Sequence, residues 1–300
     1  MNQINFKKNF KNKKVFKSYK PDYVFHLAAQ ALVKNSYSDP VKTFNTNIIG
    51  TLNILECLRE MKKNCTAVLV TSDKSYKNIE IKRGYKEDDI LGGKDPYSSS
   101  KASAELLIQS YVNSFFPSKK SKVSISIARA GNVIGGGDWS KNRLIPDCVK
   151  SWSKDKKVFL RNPGSTRPWQ HVLETASGYL MLALALKNNK KLHGQAFNFG
   201  PNNLKNYSVI NVVRFMKKFW KKVSWNVKKD KKSVFESNIL KLNANKAKQV
   251  LKWKCFLNFR ETIDMTVSWY KSYYLNRKKI YEISYNQIIR YEEILKKRSI

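Results

Sequence analysis

The sequence predicts an α/β protein, built as a doubly wound parallel sheet with a smaller α+β region attached. Two observations carry this. Apolar strand-like runs alternate with helical patterns along the first two thirds of the chain, the arrangement that puts helices on both faces of a parallel sheet. The chain also has 300 residues at 42% hydrophobic, enough to bury one large core or two unequal lobes.

The elements follow in order. Residues 22–27 read as a buried strand. Residues 41–62 read as a long helix, with Phe44, Ile48, Leu52 and Leu55 at helical spacing. Residues 66–71, with the apolar run Ala67-Val68-Leu69-Val70, form the next strand, and 97–115 the next helix, stopped by Pro117. A third strand is expected at 123–130, and 131–137, with Gly131, Gly135, Gly136 and Gly137, must be a loop, more a permissive turn than a phosphate cradle. Helices at 144–153 and 172–186 bracket a short strand at 158–160, and a strand follows at 196–199. Helices at 209–220, 244–251 and 259–274 make up the α+β region. The last stretch, 280–297, reads as an amphipathic helix or a loosely held tail. These elements divide the chain into one domain of 1–131 plus 171–194 and a second of 132–170 plus 195–300. There is no internal repeat and no low-complexity linker.

The formal net charge of +36 invites a nucleic-acid or anionic-membrane partner. Its distribution argues against both. The basic residues are overwhelmingly lysine, spread along the whole chain beside abundant asparagine and isoleucine, and no zinc-finger, RNP or basic-zipper pattern is present. Solvated surface is the expected reading, with some attraction for an anionic small substrate. Cys57, Cys65, Cys148 and Cys255 are scattered without a C-x-x-C pair, and His26, His171 and His193 lie far apart, so neither a disulfide framework nor a structural metal is expected. The amino terminus lacks the apolar core of a signal peptide, and the longest apolar run, 179–186, is too short to span a bilayer. A reduced, cytoplasmic protein with no membrane partner is expected.

The chemistry concentrates in two short stretches, Thr71-Ser72-Asp73-Lys74 and Asp95-Pro96-Tyr97-Ser98-Ser99-Ser100-Lys101. On a helix, residues four apart share a face, so Tyr97 and Lys101 project into one space. A lysine cation stabilises a phenolate and draws a tyrosine toward use as a general base. Ser72, at a strand end, would share the same substrate oxygen. This is the chemistry for removing a proton from an alcohol while its hydride leaves for a nicotinamide. Y-x-x-x-K alone is weak in a lysine-rich chain and reads equally as an exposed helix start. The strand, the Ser-Asp-Lys turn and the proline-opened helix in succession are far more specific. For Asp73 the structural alternative is a turn or cap carboxylate, and for Lys74 an exposed side chain. One feature of a doubly wound nucleotide fold is absent: the first glycine is Gly50, so no glycine-rich turn precedes the strand at 22–27.

With these residues in view, the chain resembles the extended short-chain dehydrogenase/reductase family, and within it the CDP-glucose 4,6-dehydratases. The resemblance is carried by Val24-Phe25-His26-Leu27-Ala28-Ala29-Gln30, Asn47-Ile48-Ile49-Gly50-Thr51, the two stretches above, Arg129-Ala130-Gly131-Asn132-Val133-Ile134-Gly135-Gly136-Gly137-Asp138-Trp139, Arg161-Asn162-Pro163 and Arg167-Pro168-Trp169-Gln170-His171-Val172. It implies a Rossmann-like first domain that binds NAD and a second region that binds the sugar nucleotide. It also implies on the order of 60 further residues of turn, strand and helix at the front, so the part that would hold the adenosine half of NAD is expected to be missing, an amino-terminally truncated Rossmann-like domain.

By resemblance the reaction is internal redox dehydration of CDP-glucose to a 4-keto-6-deoxy sugar nucleotide for surface polysaccharide. NAD takes hydride from C4, Tyr97 takes the hydroxyl proton, Ser72 bonds the same oxygen, and Lys101 tunes Tyr97 and orients the nicotinamide ribose. Asp73 is the acid for the departing C6 hydroxyl. Lys74 stands where related dTDP-glucose enzymes carry a glutamate base, and would need a depressed pKa. Epimerases of the family place small or apolar residues at these two positions, so the Asp-Lys pair favours a dehydratase. Leu27, Ala28 and Ala29 are implied to line the cofactor groove, with Asn47 near the active site beside Tyr97 and Lys101. Asn132, Arg143, Arg167 and Gln170 are implied to hold the sugar and its diphosphate, for which arginine gives bidentate bonds. For Arg143 and Arg167 a surface ion pair is the alternative, for Asn47 a bond to neighbouring backbone, and for Leu27, Ala28 and Ala29 a packed strand end. His26 reads as a packed strand residue, and His193 carries no signal. A homodimer through the helices at 41–62 and 97–115 is expected by analogy. The rival reading is a non-catalytic relative that binds a sugar nucleotide or a partner chain. Dehydratase or epimerase action on another nucleotide sugar is a further alternative.

Overall fold

Ala67, Val68 and Leu69 have no exposed surface, because their strand, β2 (Cys65–Val70), is paired on both sides. This computed structural model describes residues 9–81, 83–117, 121–201, 207–220, 222–227 and 239–298. Two compact units are present. The first comprises Met1–Asn78, Glu87–Arg129 and Tyr179–Asn198, and the second comprises Ile79–Lys86, Ala130–Gly178 and Phe199–Ile300.

The first unit holds the parallel sheet. β1 (Tyr23–His26) pairs with β2 from Tyr23 opposite Thr66 to His26 opposite Leu69. β3 (Val123–Ala130) pairs with the other side of β2, and the strand Ala196–Phe199 follows β3 in the sheet order. Helix α1 (Asn9–Tyr19) leads into β1. Helices α2 (Val33–Ser38), α3 (Pro40–Phe44) and α4 (Gly50–Arg59) connect β1 to β2, and α5 (Pro96–Phe115) precedes β3. Leu55 and Leu58 of α4 and Ile108 and Val112 of α5 pack with Leu69, Ile125 and Ile127 in one apolar cluster. Non-directional burial of this kind fixes which helix face meets the sheet.

The expected single helix at 41–62 is instead α3, a π-helical turn at Asn45–Ile49, and α4. Its cause lies outside the helix. The Asn47 side chain accepts from Gln30 N–H at 2.8 Å and donates to the Gln30 carbonyl at 3.1 Å and to Ser100 Oγ at 2.8 Å. Widening the turn accommodates that three-way clamp.

In the second unit α6 (Leu144–Trp152), α8 (Val209–Met216) and α10 (Phe259–Leu275) contribute Val149, Trp152, Val213, Met216, Ile263 and Val267 to one apolar core. Both α8 and α10 open on capping boxes, Ser208 with Asn211 and Asn258 with Glu261. Helix α7 (Val172–Asn188) begins in this unit, and α9 (Asn245–Leu251) precedes α10. The segment expected to be only loop, 131–137, contains the two-residue strand Val133–Ile134, paired in parallel with Gln170–His171. Gly136 lies against Trp269, where a Cβ would stand 2.1 Å from the indole ring. The last stretch is helix α11 (Ile280–Arg298), not a loose tail. Tyr291 donates to Glu174 Oε2 at 2.8 Å, and Gln287 donates to the Met265 carbonyl at 2.6 Å. Glu174 also accepts from Phe256 and Leu257 N–H, and burial raises its carboxyl above the usual range. Among the described residues no helix is long and apolar enough to cross a membrane, and no cluster of His, Cys, Asp and Glu is placed to hold a metal.

Candidate active site

All five residues proposed for chemistry belong to the first unit. The pairing of β2 with β3 extends one residue past Val70, with Thr71 N–H donating to the Ala128 carbonyl at 2.9 Å. The chain then folds into a 3-10 turn, Asp73–Ser75, whose amino terminus is capped by Ser72 Oγ accepting from Lys74 N–H at 3.2 Å. Ser72 Oγ also donates to Asp73 Oδ1 at 3.1 Å.

Helix α5 starts opposite this turn. Asp95 caps it, accepting from Ser98 N–H at 3.0 Å, and Pro96 takes the first helical position. Gly93 is required beside the cap, since a Cβ there would stand 2.2 Å from Ser99 N. Tyr97 N–H, an unsatisfied donor of the first turn, is met by Ser36 Oγ at 3.1 Å. Tyr97 is thereby held with its hydroxyl donating to Ser72 Oγ at 3.4 Å.

Lys101 is buried one turn further on. Its one hydrogen-bond partner among the described residues is the Val70 carbonyl at 3.3 Å. Burial lowers its ammonium to about 8. His26, whose Nε2 lies 3.3 Å from Thr51 Oγ1, is held down to about 4, first by burial and then by the Lys101 charge. A neutral imidazole leaves Lys101 as the cation there. Tyr179 is a further buried phenol, pushed up by burial and by Tyr97 and Asp73 nearby.

The remaining expected site residues separate into two sets. Leu27 and Ala28 are exposed and Ala29 is half-buried, just past the end of β1. Asn47 is buried, with its amide bonded to Gln30 and Ser100. Asn132, Arg143, Arg167 and Gln170 belong to the second unit. Asn132 has φ of 43°, and its carbonyl accepts from Gln170 N–H at 3.3 Å. Gln170 is fully buried, and its Nε2 donates to the carbonyls of Gly131 and Phe199. Arg143 pairs with Asp138 at 3.1 Å, and Arg167 Nη1 donates to the Thr166 carbonyl at 2.8 Å.

Glu105 and Arg129, which carry no assigned role in the sequence motifs, form a buried ion pair beside the turn. Arg129 Nε donates to both Glu105 oxygens at 2.9 and 3.0 Å. Burial opposes the guanidinium charge, but Glu105 raises Arg129 further above its ordinary value. The available signal was spacing: Glu105 follows Lys101 by four positions and Tyr97 by eight.

A parallel α/β sheet with tyrosine and lysine on one helix face, and serine at the end of the neighbouring strand, is the arrangement expected from the resemblance to the extended short-chain dehydrogenase/reductases. A family profile described as GDP-mannose 4,6 dehydratase matches residues 2–266. The chain is 41% identical over 259 residues to the CDP-glucose 4,6-dehydratase of Salmonella typhimurium, a match covering 85% of this chain and 72% of that protein. It is 26% identical to the UDP-glucose 4-epimerase of Mycoplasma genitalium, over 87% of this chain and 78% of the epimerase. Its fold is similar to that of the Thermus thermophilus UDP-glucose 4-epimerase solved with NAD, with a TM-score of 0.76 at 22% identity, covering 88% of this chain and 82% of that one. The chain belongs to the GDP-mannose 4,6 dehydratase family.

Proposed function

We propose that this chain is an NAD-dependent CDP-glucose 4,6-dehydratase. The observation that carries the reading is the contact between Tyr97 and Ser72, with Asp73 and Lys74 on the same turn. Identity of 41% to a CDP-glucose 4,6-dehydratase supports the choice of reaction and nucleotide.

The residues fit a dinucleotide. Lys101 is a buried ammonium with one long bond to backbone, so two donors remain for ribose hydroxyls. Just past the end of β1, Ala28 and Ala29 offer small side chains for close approach of a ligand backbone, with exposed Leu27 beside them. Asn47 supports that segment through Gln30. When bound, NAD supplies the hydride acceptor for C4 and the hydride donor for C6.

The protein's own groups do the rest. Tyr97, as phenolate stabilised by Lys101, takes the C4 hydroxyl proton, and Ser72 holds that oxygen. The 4-ketone acidifies C5–H, Lys74 removes that proton, Asp73 protonates the departing C6 hydroxyl so that it leaves as water, and Lys74 returns its proton to C5 once C6 is reduced. Asn132, Arg143 and Arg167 are assigned to the sugar nucleotide, together with Gln170 through the carbonyls that its amide holds. The first unit is assigned to the cofactor and the second to the sugar nucleotide. A homodimer through α3, α4 and α5 belongs to the same reading, supported by exposed Val41, Leu106 and Phe115, as does work in the cytoplasm toward surface polysaccharide.

The test is incubation of the full chain with NAD and each of CDP-, UDP-, dTDP- and GDP-linked sugars, following the 4-keto-6-deoxy product by NMR. Conversion of CDP-glucose is expected. Conversion of another sugar in its place would overturn the nucleotide assignment, and conversion of none would leave a sugar-nucleotide-binding or partner-binding protein as the better reading.

A further inference from the structure

Both ends of the turn that carries Ser72, Asp73 and Lys74 are tied to one buried ion pair. Thr71, just before the turn, donates from Oγ1 to Glu105 Oε2 at 2.9 Å. Tyr76, just after it, accepts from Arg129 Nη1 at 2.5 Å, and its ring lies 4.7 Å from the guanidinium carbon. The Tyr76 hydroxyl then donates to Asn198 Oδ1 at 2.7 Å, and Arg129 Nη1 reaches the Glu87 carbonyl at 2.9 Å. Glu105 stands on the face of α5 that carries Tyr97 and Lys101.

We propose that Glu105 and Arg129 are positioning residues, which set the distance between the Ser72 turn and the Tyr97–Lys101 face of α5. Apolar packing already holds α5 on the sheet through Ile108 and Val112. That packing is non-directional and tolerates small slips along the helix axis. The planar guanidinium does not, because each of its edges meets a partner in fixed geometry. At 3.4 Å the Tyr97–Ser72 contact lies beyond the usual O–H···O range, so a displacement of less than one ångström decides whether it exists. A misplacement of about 1 Å can cost on the order of a hundredfold in rate. Arginine paired with glutamate is also an expensive way to fill a core, since apolar residues of equal volume would serve stability as well or better.

Thr71→Val and Tyr76→Phe each remove one hydroxyl while keeping shape and leaving both charges in place. Val112→Ala loosens α5 without touching the polar network. Carbon-13 tyrosine NMR on the full chain without cofactor, with Tyr97 assigned through Tyr97→Phe, reads the Tyr97 titration in each. The expected result is a fall of about one pH unit, tenfold in the acidity constant, for Thr71→Val and Tyr76→Phe, because the bond that Tyr97 donates to Ser72 holds its phenol in the neutral form. No such fall is expected for Val112→Ala, and Thr71→Ser should restore the wild-type midpoint. With CDP-glucose and NAD, kcat should fall about tenfold in the first two variants while KM stays near wild type. Equal shifts in all three variants, or no shift in the first two, would overturn the proposal. The kinetic arm rests on the dehydratase reading and the titration does not, so a chain inactive on CDP-glucose would sink that reading while the NMR still judges the positioning.

Discussion

Tyr97 donates to Ser72 Oγ over 3.4 Å, and the same Oγ donates to Asp73 Oδ1 at 3.1 Å. One serine hydroxyl thus joins the group assigned as base to the group assigned as acid. Replacing Tyr97 by Phe removes the base and leaves the turn, so kcat should fall by about 10²–10⁴ with sugar-nucleotide affinity nearly unchanged. Turnover and calorimetric binding measured on the same preparation check this, and wild-type rates would sink the mechanism.

Lys74 meets Ser72 Oγ through its backbone N–H, a bond that truncating its side chain leaves in place. Lys74→Ala should therefore slow removal of the C5 proton more than oxidation at C4. Stopped-flow absorbance should show reduced nicotinamide building up on the enzyme. Equal slowing of both steps would count against Lys74 as the base.

The buried Lys101 gives a pH signature. Its ammonium is held at about 8, against roughly 10.4 for a free lysine. Below about 8 both folded and unfolded chains carry the charge, and folding bears the full cost of burying it. Between about 8 and 10.4 the unfolded chain keeps a proton that the folded chain has lost, so this group's contribution to stability rises with pH. Lys101→Met should flatten the stability–pH slope across that window in denaturant titrations of the cofactor-free chain. An unchanged slope would refute the assignment.

Gly136 has no room for a side chain beside Trp269. Gly136→Ala should cost about 1–3 kcal/mol by overpacking, seen as a lower Tm. A Tm equal to wild type would show that the indole moves aside freely.

Arg129→Met alone strands a buried carboxylate and should cost roughly 3–5 kcal/mol, whereas Arg129→Met with Glu105→Met should cost clearly less. Denaturant midpoints of the single and double variants decide this, and simple additivity would be the contrary result.

Much of this is legible in the amino-acid sequence alone. The strands at 123–130, 158–160 and 196–199 stand where apolar runs and their flanking turn residues put them. Tyr97 and Lys101 share a face because helical spacing leaves no alternative. The π-helical turn was not legible, because its cause is a clamp from Asn47 to Gln30 and Ser100, residues remote in sequence. The pairing of Val133–Ile134 with Gln170–His171 was hidden for the same reason, since two residues carry no periodicity. Arg129 and Glu105 were invisible as a pair because charged residues in a chain this basic read as surface until burial is known.

The fourth strand of the parallel sheet, Ala196–Phe199, joins β3 only after the whole segment from Ala130 has been made. A ribosome adding about 5–20 residues per second needs on the order of ten seconds for that stretch. A chain paired only as β1, β2 and β3 over that interval would leave one edge of β3 open, a template for wrong strand partners. The lysines spread along this chain put like charge on neighbouring copies and work against such pairing.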